Sequence, residues 1–356
     1  MSYMGVSMGV KMKNKINPIV LYIVFSLLVG LVAMICVMFG SVNVSFSDTF
    51  HVVSGAMVGK IPESVPERIV SIILMVRLPR VLTAAFIGAA LSISGAAMQG
   101  LLKNPLADGS TLGVSSGASL GAVLAIALST GNSFFANTGI FVMSILFAFI
   151  SMLLILGLSR AIDYSLSTNT IILVGVIFSM FTGSITSLVV TVASNKVKNI
   201  VFWSMGSLAG SSYKEVLLMS IILFVIGAVL IGNASELNAF AIGEENAMHI
   251  GVNIRKVKLV IMIAVSILIG ISVAISGTIG FVGLIIPHIA RLITGPNHKR
   301  MLPMSLFIGA SFLMIADLIS RTILSPMELP IGVITSFAGS ILFIYLYFRL
   351  SKGNRR

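Results

Sequence analysis

Gly113-Val-Ser115-Ser-Gly117 has the Gly-x-Ser-x-Gly spacing of a hydrolase nucleophile elbow. An intramembrane serine protease built on it would pair Ser115 with a histidine such as His288. The elbow normally works on a strand-to-helix turn, and glycines at this spacing on a membrane helix also serve close packing. Other chemistry is sparse. His51, His249, His288 and His298 are scattered, none in a His-Glu-x-x-His frame, so no metal centre is expected. No Gly-x4-Gly-Lys-Ser/Thr occurs, so the chain has no phosphate loop of its own. A single cysteine, Cys36, excludes an intrachain disulfide, and no cofactor is expected. The charges that stand out are Arg77 and Arg80, which flank Pro79 just before the 22-residue charge-free run 81–102. Charge beside hydrocarbon is expensive, so two arginines fixed by Pro79 at a helix start read as a ledge for a partner's carboxylates.

The elements that position these residues must be membrane helices. Of 356 residues, 57% are hydrophobic and 10% charged, and the mean hydropathy is +1.09. Soluble domains carry about 25% charged residues, so the fold class is an all-α polytopic membrane protein. The formal charge of +12 is dispersed in short connectors, with no basic stripe, so nucleic acid is not a partner. Spans of roughly 20 apolar residues are expected at 18–40, 81–102, 111–130, 138–158, 169–193, 215–232, 259–275, 303–320 and 332–349. The 32 uncharged residues between Lys258 and Arg291 leave room for a Gly-rich turn and a short tenth crossing at 280–293. With ten crossings and both termini cytoplasmic, 15 of the 23 Lys and Arg fall inside, as the positive-inside rule requires. The lysines at 11, 13 and 15 precede a stretch too long for a signal peptide and read as a cytoplasmic tail, 1–17. A single transmembrane domain then occupies 18–350 in the membrane lipid, with a cytoplasmic tail at 351–356.

Finer features follow from that frame. Ser94-Gly95 and Ser276-Gly277 each precede a proline, Pro105 and Pro287, by the same ten-residue spacing from the glycine, a hint of an inverted internal repeat. Gly88, Gly95, Gly100, Gly113, Gly117 and Gly121 read as helix packing. No span is expected to bury an ionisable chain at mid-depth; Asp317 comes nearest, one turn before Arg321, as a structural i,i+4 pair. Two connectors are long. The outer loop 41–80 carries the arginines. The inner loop 233–258 holds two short amphipathic pieces with Leu237, Phe240, Ile242 and Ile250 on one side, suited to the membrane surface or to a groove on a cytoplasmic partner.

At these residues the chain resembles the membrane permease subunits of binding-protein-dependent ABC importers for iron chelates, haem and cobalamin. The resemblance runs from about residue 20 to the C-terminus. It is carried by Arg77-Leu-Pro-Arg80, Ser94-Gly-Ala-Ala-Met-Gln99, Asn104-Pro-Leu-Ala107, Leu112-Gly-Val-Ser115, Phe202-Trp-Ser-Met-Gly206 and Ala241-Ile-Gly243-Glu244. Its longest block is Gly280-Phe-Val-Gly-Leu-Ile-Ile-Pro287-His288-Ile-Ala-Arg291, followed by Ala316-Asp317 and Glu328-Leu-Pro330-Ile-Gly332.

The resemblance implies a bacterial inner-membrane subunit that dimerises, as a homodimer or with a paralogue, around a path for a metal chelate such as a ferric siderophore, or for cobalamin or haem. Its partners would be two ATP-binding subunits below and an extracytoplasmic substrate-binding protein above. Arg77, Arg80 and Arg321 would dock that protein. Gly243, Glu244, Glu245 and Gly251 would couple to the ATPase. Ser167, Thr168 and Asn169 would form the cytoplasmic gate, where Asn169 replaces the serine of the cobalamin permease.

Overall fold

The computed structural model describes residues 17–40, 44–59, 65–129 and 133–353. The tail lysines at 11, 13 and 15, Lys60, and the arginines at 355 and 356 lie outside them. Lipid offers no hydrogen-bond partner to a backbone, so apolar runs close their own bonds as helices. α1 (Pro18–Met38) starts where the Asn17 side chain accepts from Ile19 N–H, with Pro18 at the first turn. α2 (Phe46–Val58) lies within the segment expected to be a loop, capped by Ser45 and closed at Gly59. α3 (Glu67–Ser71) then passes through a π-helical turn, Ile72–Arg77, into α4 (Leu78–Leu102), giving one helical run from Glu67 to Leu102.

That run corrects the expected helix start at Pro79. Pro79 has no N–H for the preceding turn. The π-turn, in which Leu78 N–H reaches back to Ile73 O, accommodates it without ending the helix. The chain continues as α5 (Val114–Leu128), α6 (Ser133–Ile162), α7 (Thr168–Val192), α8 (Val197–Ser204), α9 (Tyr213–Gly232), α10 (Ala234–Ile242) and α11 (Glu244–His249). It ends with α12 (Ile254–Ser276), α13 (Val282–Thr294), α14 (His298–Thr322) and α15 (Ile331–Gly353). Among the described residues seven helical runs are long and apolar enough to cross a bilayer, and α5, α13 and the Ile331–Tyr345 part of α15 are shorter apolar segments. These correspond to the ten expected crossings, with α13 as the short one.

α4 is the axis of the core. Its small residues let neighbours approach to backbone contact: a Cβ on Gly95 would lie 1.9 Å from the Gly283 carbonyl oxygen, and one on Gly88 2.2 Å from that of Gly309. Close packing of this kind holds membrane helices together without a hydrophobic driving force. Gly113 serves differently, opening α5 at φ 72.

The matched Ser-Gly spacings do not fall at equivalent places in the fold. Gly95 lies inside α4, whereas Gly277 caps α12. What recurs is a long helix ended by a residue of positive φ, Lys103 after α4 and Gly277 after α12. Each is followed by a short helix that another such residue opens, Gly113 before α5 and Phe281 before α13. As the second and seventh crossings, α4 and α12 run in opposite directions.

Candidate functional site

A cavity of about 800 Å³ lies between α4, α5, α8, α12, α13 and α15. Asp108, Ser115, Met205, Phe281, Ser336 and Phe337 are among its lining residues. Part of the wall is unwound backbone, which is tolerated in a membrane only where protein satisfies it. Here Ser207 N–H donates to Ser276 O (2.8 Å), Ile331 N–H to Gly206 O (3.1 Å) and Gly332 N–H to Met205 O (3.0 Å), and the Thr278 hydroxyl donates to Ser204 O. A Cβ on Gly332 would stand 2.4 Å from Met205 O, so the strands of this knot meet at contact distance. Phe337 lines the cavity and is 70% exposed, so the cavity opens at the face of α15.

Ser115 is a hydroxyl of this cavity, in the first turn of α5. His288, the base that a protease would need, has its Nε2 buried without a hydrogen-bond partner among the described residues. The intramembrane protease reading is therefore unsupported.

At the end of the bundle that holds the C-terminus of α1, the structure brings Arg77, Arg80 and Arg321 together, all buried. Arg80 Nε donates to Asp317 Oδ1 (2.9 Å) and its Nη1 to Glu328 Oε1 (2.9 Å); Arg321 Nε lies 3.3 Å from Asp317 Oδ2. Arg77 Nη1 donates to the carbonyls of Val37 (2.9 Å) and Met38 (2.6 Å), while Arg321 donates to those of Phe39 (2.8 Å) and Cys36. The last carbonyls of a helix lack intrahelical donors and carry the negative end of its dipole, so two guanidiniums suit them. Gly40 allows the approach, since a Cβ there would lie 2.9 Å from Arg77 Nη2. The arginines are thus engaged within the fold and do not form an open ledge. Asp317, Arg321 and Lys258 are buried within helices, but near helix ends: the first two in the last turns of α14, the third in the second turn of α12.

The opposite end holds the 163–167 turn, α10 and α11. Asp163 accepts from Ser165 N–H (2.9 Å) and hydroxyl (2.6 Å) and from Ser167 N–H (3.0 Å), and these bonds hold its carboxyl below the usual carboxylate range. Ser167 caps α7, Thr168 and Asn169 form its first turn, and Leu166 takes φ 54. Gly243, at φ 129, separates α10 from α11, where Glu244 and Glu245 form the first turn; Gly251 follows at φ 89. The apolar face expected of this segment divides. Leu237 and Phe240 are buried in the bundle, whereas Ile242, Met248 and Ile250 are exposed. Asn238 anchors α10 by accepting from His298 N–H (2.9 Å).

Sequence reasoning missed Lys258 here, treating it as the last residue of a loop. It is wholly buried in α12, with Nζ donating to Leu166 O and Glu244 Oε2, both at 2.8 Å. Its apolar neighbours in sequence, Val257 and Leu259, were the available signal.

Comparison with known proteins bears on the family and the fold. Residues 27–349 match the FecCD transport family. An uncharacterised ABC transporter permease of Bacillus subtilis is 47% identical over 286 residues, 80% of this chain and 81% of that protein. The cobalamin import permease of Halobacterium salinarum is 36% identical over 282 residues, 79% of this chain and 74% of its own length. A solved structure described as an inward-facing conformation of a metal-chelate type ABC transporter superposes with a TM-score of 0.80. It has 31% identity and covers 92% of this chain and 99% of that one. The chain belongs to the FecCD transport family and is a multi-pass membrane permease subunit of an ABC importer, without an ATP site of its own.

Proposed function

We propose that this subunit forms half of the import path for a ferric siderophore, delivered by an extracytoplasmic binding protein and driven by two separate ATPase subunits. The cavity carries the reading. Its volume falls within the range of small-molecule sites, about 300–1,000 Å³, and Ser115, Ser204, Thr278, Ser336 and Ser340 are among its lining residues. Asp108 contributes a carboxylate, and no Lys or Arg lines the cavity among the described residues, which suits a neutral or cationic chelate. Cobalamin is the second reading, favoured by the Halobacterium relative. The end bearing α10 and α11 then faces the cytoplasm. Gly243, Glu244, Glu245 and Gly251 contact the ATPase, with Ile242, Met248 and Ile250 supplying exposed apolar surface. Ser167, Thr168 and Asn169 form the gate at the base of α7.

Docking of the binding protein falls to the opposite end, and there the geometry singles out one exchange. Arg77 and Arg321 hold α1, but the Glu328 side chain on Arg80 is 36% exposed. An incoming carboxylate takes the place of Glu328 at Arg80. The test is uptake into ATP-loaded proteoliposomes holding the whole complex, offered ferric siderophore, haem or cobalamin. ATP-dependent uptake of the siderophore supports the reading. Uptake of cobalamin or haem alone replaces the substrate, and uptake without ATP overturns the importer.

A further inference from the structure

We infer that Lys258 is a positioning residue that fixes the gate turn to the ATPase-coupling helix, so that α11 and the N-terminus of α7 move as one body. This rests on the proposed role of α10 and α11 in contacting the ATPase. The geometry is a three-way joint. Lys258 projects from the start of α12 into full burial and, among the described residues, donates to Leu166 O in the gate turn and Glu244 Oε2 at the start of α11. Leu166 is itself buried, and its left-handed conformation turns its carbonyl toward the ammonium.

A buried ammonium needs its partners, because removing either leaves a desolvated charge uncompensated. The two contacts are therefore held together whenever the lysine stays in place. A second attachment lies at the rim, where the Tyr164 ring sits 4.4 Å from the Arg255 guanidinium of α12 and 5.5 Å from that of Arg160 on α6. The turn cannot give way internally either, since Asp163 accepts from both Ser165 and Ser167, and Ser167 caps α7. A push on Glu244 thus reaches α7 through Lys258 rather than along the chain, where α8, α9 and α10 lie between them.

The experiment uses the full complex with its ATPase and binding protein, in a Cys36→Ala background, with spin labels on the exposed positions Val176→Cys in α7 and His249→Cys in α11. In the parent the label distance should stay narrow and unchanged between nucleotide-free and ATP-trapped states. Lys258→Met should broaden it, and should lower transport at least tenfold while basal ATPase stays within about twofold. Lys258→Arg should restore part of the transport. If Lys258→Met fails to assemble, Tyr164→Leu, made from the exposed side, should give the same broadening with a transport loss of roughly threefold. Parent-like transport and label distances in whichever variant assembles would overturn the joint while leaving the importer standing. A complex that never hydrolyses ATP or transports in the parent form refutes the underlying reading instead.

Discussion

Asp317 is shared between Arg80 and Arg321, and with Glu328 it offsets two of the three guanidinium charges in the cluster. The carbonyls ending α1 face the remainder. Asp317→Asn leaves two buried arginines short of a partner, a loss of about 3 kcal/mol or more, and thermal unfolding in detergent should show the fall. Glu328→Gln acts on the same cluster from its exposed edge. It frees Arg80 Nη1 for a partner carboxylate with little loss of stability, so binding-protein affinity should rise several-fold in a surface-binding assay. An unchanged affinity would sink the exchange at Arg80. Arg77→Glu plus Arg80→Glu should abolish docking and uptake together. Ser115→Ala tests a different residue, and since it removes only one of several cavity hydroxyls, more than half of uptake should remain. The arginines and the Asp317–Arg321 pair were legible in the sequence because charge inside apolar runs is conspicuous. Their partners were not. Carbonyls of α1 carry no side-chain signature, and Arg77 meets Val37 across 40 residues of chain.

Among the elements, the α4–α13 contact is the most exacting. Gly95→Val would drive a side chain into the backbone of Gly283, which no rotamer change can relieve, and Gly283 lines the cavity. Loss of monodisperse protein in size-exclusion chromatography is the expected result, whereas Gly30→Val, at a position with nothing within 4 Å, should purify normally. Nine crossings could be read from apolar length because each has to satisfy its backbone in lipid, and the short tenth from the placement of Lys and Arg. The helix around Arg77 could not, since Pro79 is a start signal in most sequences and here sits beyond a π-turn. α2 also escaped notice, with Phe46 and Phe50 one turn apart on a short helix that never crosses. In the 233–258 segment periodicity grouped Leu237 and Phe240 with Ile242 and Ile250. Gly243 breaks the helix between them, so the first pair enters the core and the second faces outward.

For the whole molecule the open cavity decides the assembly. A wall carrying Asp108 and several serines is poorly matched to hydrocarbon, where ionisable and polar chains are costly. One subunit leaves that wall open beside α15, where Phe337, Ile341, Ile344 and Phe348 are exposed in a row of apolar side chains. We propose that a second permease subunit closes it, with the exposed apolar face of α7, Leu173, Ile177, Met180 and Phe181, as a further surface for it. In the Cys36→Ala background, Ile341→Cys in native membranes should therefore cross-link to a second permease chain on mild oxidation. Ile23→Cys on α1, which is 55% exposed and does not line the cavity, should not. A product of twice the monomer mass from a single expressed gene identifies a homodimer, and cross-linking only when a paralogue is co-expressed identifies a mixed pair. If Ile341→Cys stays monomeric in both cases while uptake is intact, α15 faces lipid and the cavity must be closed by some other surface of the complex.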